Sequence, residues 1–341
     1  VVGFASHPNV LKQAGAENAD LLIAVTASDE VNMVACEVAQ SIFQVQTKIA
    51  RVRHQSYLKP AWSDMFHPSR LAIDVVISPE IEVAKSLSRS AQVVGAFEVI
   101  PLVCNHVKVI GVRCHSQSSL INTPLRLLPG LVASADMHIV CIARGDQAFL
   151  PDQNDILQAG DEVHFIATSQ DISQAMAAFG YQGSEGRQML IVGGGSIGKT
   201  LALEIEASQP DVVVKMIEKN QERSETAARL LKNADVLCGD ALDYDILNEA
   251  SVHNCETVIA VTDDDKVNIL SSLLAKRCGA GRSLALLNNI HHASLVTSLG
   301  VDGVINPRSI TVSSILQYVR QGRIRSVHTL GDGHVEVIEA E

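Results

Sequence analysis

The sequence predicts an α/β fold. A Rossmann-like doubly wound parallel sheet occurs twice, with a small α+β domain between the copies. Three observations predict it. The first is Met189–Thr200, a short apolar run followed by G-x-G-x-x-G at Gly193, Gly195 and Gly198 and then by a helical pattern. The second is a gapless repeat. Gly3-Phe4-Ala5, Leu11, Ala14, Asn18, Ile23-Ala24-Val25-Thr26, Asp29 and Val31-Asn32 return as Gly239-Asp240-Ala241, Leu247, Ala250, Asn254, Ile259-Ala260-Val261-Thr262, Asp265 and Val267-Asn268. The offset is constant (262 − 26 = 236) and marks a duplicated unit. The third is a change of texture over residues 92–180, where short alternating runs and glycine turns replace the longer apolar stretches.

Composition sets the outer limits. A chain of 341 residues holds two or more domains, and 47% hydrophobic content supplies their cores. The net charge of −11 argues against a nucleic-acid partner, which needs a basic face, but leaves room for a nucleotide held at a local site. The 7 cysteines are scattered without C-x-x-C and read as reduced thiols. No apolar run reaches about 18 residues and no signal peptide is recognisable.

In chain order, a strand over Leu21–Val25 precedes a helix from Glu30 to Phe43 that carries Val31, Val34, Ala35, Val38 and Ile42 on one face. Lys48–Arg53 and Leu71–Ile77 read as strands, and Ser78-Pro79-Glu80 opens a helix from Ile81 to about Arg89. The small domain shows strands over Val93–Val103, Lys108–Val112, Met137–Arg144 and Glu162–Ala167. Its turns fall at Pro129-Gly130, Arg144-Gly145-Asp146 and Ala159-Gly160-Asp161. Gln182–Gly186 reads as a linker. The second unit continues with the strands Val212–Ile217, Leu284–Leu287 and Val304-Ile305. An apolar helix from Ile310 to about Arg320 follows, read as a packing face between subunits or as ordinary core, with Ile81–Leu87 as its weaker first-copy counterpart. The expected boundaries are 1–90 for the later part of the first unit, 91–180 for the small domain, 181–187 for the linker, 188–326 for a complete second unit and 327–341 for the start of a second small domain. Taking 236 from Gly193 gives −43, so the first copy's glycine loop is expected before residue 1 and the chain is expected to be cut at both ends.

The glycine stretch carries the chemistry. Gly193 permits the tight turn out of the strand, Gly195 lets backbone approach a pyrophosphate and Gly198 lets the helix pack on the sheet. The helix then directs its bare N–H groups and positive dipole end at the phosphates. Glu218 follows Gly198 at the spacing this fingerprint expects for the acid that holds a ribose hydroxyl (218 − 198 = 20). Its charge disfavours a 2′-phosphate, although Lys219 and Arg223 blur that preference.

These residues, with Gln13-Ala14-Gly15-Ala16, Ala19–Thr26, Asp29–Met33, Ile49–Arg53, Gly239-Asp240-Ala241, Ile259–Asp265 and Leu274–Arg277, resemble the cytoplasmic regulatory subunits of bacterial Trk potassium-uptake systems (TrkA type), built from tandem RCK/KTN domains. In the small domain, Ala159–Val163 and Ile142-Ala143-Arg144 are similar to the RCK C-terminal lobe. The resemblance implies a ligand sensor rather than a catalyst. Such a sensor binds NAD(H), or ATP or ADP, and forms a homo-oligomeric dimer or tetramer ring. It lies peripherally on the inner face of the membrane and acts on a potassium-translocating subunit of the TrkH, TrkG or KtrB type. Carried onto this sequence, the second site comprises Gly193, Gly194, Gly195, Ser196, Ile197 and Gly198 for the pyrophosphate and Glu218 for the ribose. Asp240 would lie beside the adenine, with Thr262, Asp263 and Asp264 at the strand end. The first site retains Thr26, Asp29 and Arg51 or Arg53, directed at phosphates.

Three departures stand out. The first copy lacks the glycine loop, Phe4 replaces Asp240, and Leu286 and Asn288 replace Arg51 and Arg53. An arginine fork suits a terminal phosphate, so its absence tilts the second site toward a dinucleotide, unless Arg277, Arg282 or Lys199 compensates. Arg51 and Arg53 are expected on opposite faces of a strand, one a ligand and the other a surface charge. Asp263-Asp264-Asp265 reads as a helix cap in preference to a metal cluster, and His291-His292 has no assignable co-ligand. The alternative function is an NAD-dependent dehydrogenase. It would need a general acid or base, and His106, His115, His138 and His164 form no recognisable constellation.

Overall fold

The computed structural model describes residues 1–340 except 68–69, 133–135, 146, 182–186, 290–292, 320–323 and 331–334. The linker expected at 182–186, the pair at 291–292 and the turn residue at 146 lie outside the described residues. The chain forms two compact units, residues 1–82 with 310–321 and residues 83–309 with 322–341.

In the first unit α1 (Pro8–Gln13) starts with proline at its first turn, where no N–H is needed. The strands β1 (Leu21–Ala24), β2 (Thr47–Arg51) and β3 (Val75–Ile77) pair in parallel in that order. Between β1 and β2 runs α2 (Asp29–Phe43), whose N-cap Ser28 accepts a hydrogen bond from the Val31 amide. Its buried stripe is Asn32, Met33, Ala35, Cys36 and Ala39, whereas Val34 and Ile42 are exposed. The apolar face expected on this helix is therefore rotated, because buried Asn32 takes a core position through hydrogen bonds instead of area. The strand expected from Leu71 starts only at Val75. Asp74 turns in to accept from the Lys48 amide (2.7 Å) and to pair with the Lys48 ammonium (2.9 Å), which is 3% exposed. α3 (Pro79–Gln92) follows β3, and its Val83, Ala84 and Leu87 are fully buried, the core placement that the sequence left open for this stretch.

The small domain is an antiparallel sheet of β4 (Ala96–Leu102), β5 (Val107–Arg113), β6 (Met137–Arg144), β7 (Gln147–Phe149) and β8 (Glu162–Thr168), in the order β4-β5-β8-β6-β7. The short α4 (Leu128–Leu131) lies between β5 and β6 in the chain, and α5 (Ile172–Ala178) follows β8. Phe165 and Phe179 stack at 5.4 Å in its core.

The second copy of the repeat contains β9 (Gln188–Val192), α6 (Ser196–Ser208), β10 (Val213–Glu218), α7 (Gln221–Leu230), β11 (Asp235–Cys238), α8 (Tyr244–Glu249), β12 (Thr257–Ala260), α9 (Asp265–Arg277), β13 (Arg282–Leu286), α10 (Ala293–Ser298) and β14 (Gly303–Ile305). Its strands are all parallel, in the order β11-β10-β9-β12-β13-β14. The strand order reverses between β9 and β12, and the crevice at such a switch point is where doubly wound sheets take ligands. The central strands β9 and β12 are apolar apart from their first residues and almost wholly buried, as strands covered on both faces must be. The repeat reappears in three dimensions: β1 and α2 match β12 and α9 at the same constant offset (265 − 29 = 236). The apolar helix expected over 310–320 is α11 (Pro307–Val319); most of its described side chains are half-buried, and Val312 and Tyr318 are exposed. The chain closes on an antiparallel hairpin, β15 (Ile324–Leu330) and β16 (Val335–Ala340). Its Leu330, Val335 and Val337 pack against Ile100, Leu102, Val109 and Cys141 of the small domain. Among the described residues no helix is long and apolar enough to cross a membrane.

Candidate nucleotide site

The glycine loop leaves β9 at the switch point. Gly193 has φ +108°, a left-handed conformation that a side chain resists, and a Cβ there would lie 3.1 Å from the Thr262 backbone N. A Cβ on Gly198 would fall 1.9 Å from the Gly193 carbonyl oxygen, so α6 can approach the loop only without one. Gly195 differs. It is the N-cap of α6 with φ −70°, and a Cβ there would meet nothing within 4 Å. The middle glycine thus faces open space directly over the helix N-terminus, while its two neighbours in the motif are locked in packing. Ser196 at the start of α6 is exposed and Ile197 is half-buried.

Glu218 ends β10 and is 7% exposed. Its Oε2 accepts from the Gly194 amide at 2.6 Å and its Oε1 from the Asn220 amide at 2.8 Å. The carboxylate therefore both braces the glycine loop and stands at its rim with further lone pairs for a hydroxyl donor. On the next strand end, Asp240 Oδ2 accepts from the Lys219 ammonium at 2.8 Å and Oδ1 from the Leu242 amide at 3.0 Å. The lysine, and then the Leu242 amide, hold the Asp240 carboxyl below its usual range, and Asp240 in turn raises the Lys219 ammonium.

Thr262 follows β12. Its amide and hydroxyl both reach Asn268 Oδ1, at 2.8 and 2.7 Å, while Asn268 Nδ2 donates to the carbonyls of Thr262 (3.0 Å) and Leu286 (2.9 Å). One buried amide thus ties together the ends of β12, α9 and β13. Asp263 is exposed, Asp264 is the N-cap of α9, and Asp265 accepts from the amides of Asn288 and Asn289 at 3.0 Å each. The acidic run therefore serves as cap and turn brace, and among the described residues no group of three or more His, Cys, Asp or Glu is arranged for a metal.

The first unit repeats this frame. The Thr26 amide and hydroxyl reach Asn32 Oδ1 at 2.8 and 2.7 Å, Asn32 Nδ2 donates to the Arg51 carbonyl at 2.9 Å, and Asp29 accepts from the amides of Arg53 and His54. The expectation for the arginines needs correction. Residues two apart on a strand share a face, so alternation cannot separate Arg51 from Arg53. In addition, β2 ends at Arg51 and Arg53 lies beyond it, its Nε paired with Glu80 Oε1 at 2.8 Å. Arg51 is half-buried and its Nε has no hydrogen-bond partner. Arg282 likewise cannot compensate in the second unit. It starts β13, at the end of the strand away from the loop, and is buried with bonds to Thr257 Oγ1 (2.7 Å) and to the carbonyls of Ser90, Val93 and Ala96. Of the histidines, His164 is buried and pairs with Glu98 at 3.1 Å.

The structure thus gathers Gly193–Gly198, Glu218, Asp240 and Thr262 at the carboxyl edge of one sheet, and Thr26, Arg51 and Arg53 at the carboxyl edge of the other. Sequence reasoning missed the work of Asn32 and Asn268, although both stood in the repeat, and it missed the Lys219–Asp240 pair.

Known proteins match this arrangement. A family model described as the TrkA-N domain matches residues 1–79 and 189–307, and one described as the TrkA-C domain matches residues 109–180. The Trk system potassium uptake protein TrkA of Azorhizobium caulinodans is 45% identical over 341 residues, covering 100% of this chain and 74% of that protein. The crystal structure of the GsuK RCK domain superposes with a TM-score of 0.66 at 17% identity over 93% of this chain and 66% of that one. The GsuK channel bound to NAD gives 0.66 at 17% over 94% and 55%. At that identity the two structures speak for the fold alone.

Proposed function

The chain belongs to the TrkA family of Trk-system potassium uptake proteins, and from that premise we propose that it is a nucleotide-gated regulatory subunit whose sensing site is the glycine loop Gly193–Gly198. The family membership carries the regulatory role in potassium uptake and leaves the dehydrogenase alternative without support. In our reading NAD(H) is the principal ligand, with ATP or ADP as competitors. The pyrophosphate would lie over Gly195 and the α6 N-terminus, the ribose against Glu218, the adenine toward Asp240, and Thr262 and Asp263 would close the strand end. In the first unit Thr26, Arg51 and Arg53 would face phosphates.

Gating needs only differential affinity. A nucleotide that binds one arrangement of the paired lobes more tightly shifts the population toward it, and nothing is turned over. The membrane partner is a potassium-translocating subunit of the TrkH, TrkG or KtrB type. The assembly is a homo-oligomeric ring beneath it, on the cytoplasmic face.

The observation that carries this reading is the open space above Gly195 between two glycines that packing makes obligatory. Calorimetric titration with NADH, NAD, ATP and ADP tests it, on the unaltered chain and on Gly195→Asp. About one dinucleotide bound per chain, lost in the variant and never consumed, supports the sensor. Binding that survives the substitution overturns the site, and steady NADH turnover with a substrate overturns the regulatory role.

A further inference from the structure

We propose that the Lys219–Asp240 ion pair sets the choice between NAD and NADP at this site; the inference rests on the glycine loop being the dinucleotide site. Lys219 is the residue directly after the ribose-facing Glu218. A cation at that place is what a 2′-phosphate would recruit, since sites of this architecture accept NADP through a basic side chain close to the ribose. Here its ammonium is already engaged: Asp240 Oδ2 lies 2.8 Å away.

The geometry shows why the pair forms. β10 and β11 run parallel with Glu218 beside Cys238, and the Gly239 amide donates to the Glu218 carbonyl at 3.0 Å. Lys219 and Asp240 therefore leave adjacent strand ends together. Asp240 is fixed independently of the lysine, because Oδ1 accepts from the Leu242 amide in its own turn. Glu218 is fixed as well, by the Gly194 and Asn220 amides. A 2′-phosphate would thus meet two carboxylates held by backbone amides and an exposed ammonium that already has Asp240 as its partner, whereas an unphosphorylated ribose needs only an acceptor. Arg223, in the first turn of α7, is exposed and is left unchanged in every variant below, so any contribution it makes is common to all of them. The first copy has Phe4 at the repeat position of Asp240, so this selector belongs to the second unit alone.

The test is calorimetric titration of NAD and NADP into the full chain and three variants. Asp240→Asn frees the lysine but keeps an oxygen for the Leu242 amide. Asp240→Asn with Lys219→Met removes the freed cation. Asp243→Asn deletes a charge in the same turn without touching Lys219 and retains an N-cap for α8. The expected result is that Kd(NADP)/Kd(NAD) falls about tenfold in Asp240→Asn, returns to its starting value in the double variant and changes less than twofold in Asp243→Asn. An unchanged ratio in Asp240→Asn with NAD binding intact overturns this inference alone. An equal fall in Asp243→Asn also overturns it, because bulk charge would then suffice. Absence of dinucleotide binding in the unaltered chain overturns the underlying site as well.

Discussion

Gly195→Asp separates the two jobs a glycine can have. If Gly195 were there for packing, a side chain would unfold the loop; the open space around its Cβ position and its φ of −70° say otherwise. At an N-cap, aspartate is preferred over glycine by a few tenths of a kcal/mol, because its carboxylate accepts from the free amides of the first turn. Its charge beside the positive helix end adds a similar amount. The ligand-free variant should therefore melt at or slightly above the temperature of the unaltered chain. Nucleotide binding should collapse. A carboxylate about 4 Å from a pyrophosphate charge, at an effective dielectric near 20, costs about 4 kcal/mol, or roughly a thousandfold in Kd. Thermal melting without ligand and calorimetry with NADH measure the two halves independently. A stable variant that binds NADH within tenfold of the original refutes the phosphate role of the loop. A variant that melts well below the original refutes the claim that Gly195 is free of packing.

Gly198→Ala is the mirror image: its Cβ would lie 1.9 Å from the Gly193 carbonyl oxygen, so although alanine favours a helix by about 1 kcal/mol, overpacking should leave a net loss of about 1–3 kcal/mol, read as a lowered melting temperature. Asn268→Ala orphans the Thr262 amide and the Leu286 carbonyl, each costing about 1–3 kcal/mol when buried, and should lower both the denaturation midpoint and NADH affinity. Buried His164 answers to pH. Burial alone would lower its pKa, but Cys141 and the Glu98 carboxylate outweigh it and push it up to about 9. The folded form therefore holds the proton more tightly than the unfolded chain. The resulting stabilisation, at most about 3 kcal/mol, is complete below pH 6.5 and is lost as the pH rises through 9. Urea midpoints between pH 6 and 10 should fall in this way, and the fall should flatten in Glu98→Gln.

How far the fold was legible depended on whether its signal was local. The glycine loop and the acid that follows it at the ribose spacing are local patterns, and the structure puts them at one switch point; the repeat was legible because its offset is constant. Parallel strands were legible because they are continuous apolar runs. β11 was not, since Asp235-Val236-Leu237-Cys238 is a short edge strand with both ends exposed. Leu71–Ile77 looked longer than β3 because apolarity cannot reveal that Asp74 is claimed by Lys48, far away in the chain. Putting Arg51 and Arg53 on opposite faces broke the two-residue period of a strand, whereas the partners of the arginines lay beyond any local pattern. Whether a guanidinium meets a ligand, a carboxylate or a helix carbonyl depends on partners remote in sequence, such as Glu80 for Arg53 and Ser90, Val93 and Ala96 for Arg282.

The two copies show which parts of such a unit are frame and which are chemistry. In both, a threonine just after a strand, an asparagine in the helix that follows and an acid at the start of that helix make the same bonds: Thr26, Asn32 and Asp29 in one, Thr262, Asn268 and Asp265 in the other. Each of these shared bonds ends on backbone or within the trio, and the second copy adds one from the Asn288 side-chain amide to Asp265 Oδ1 at 3.0 Å. The side chains it carries have diverged completely. The carbonyl accepting from the asparagine belongs to half-buried Arg51 in one copy and to buried Leu286 in the other. The amide accepted by the acid belongs to Arg53, paired with Glu80, in one and to uncharged Asn288 in the other. A cationic strand end and a neutral one cannot present the same field to a phosphate. Duplication thus preserved the backbone frame of the crevice while the two crevice walls were free to take different charges.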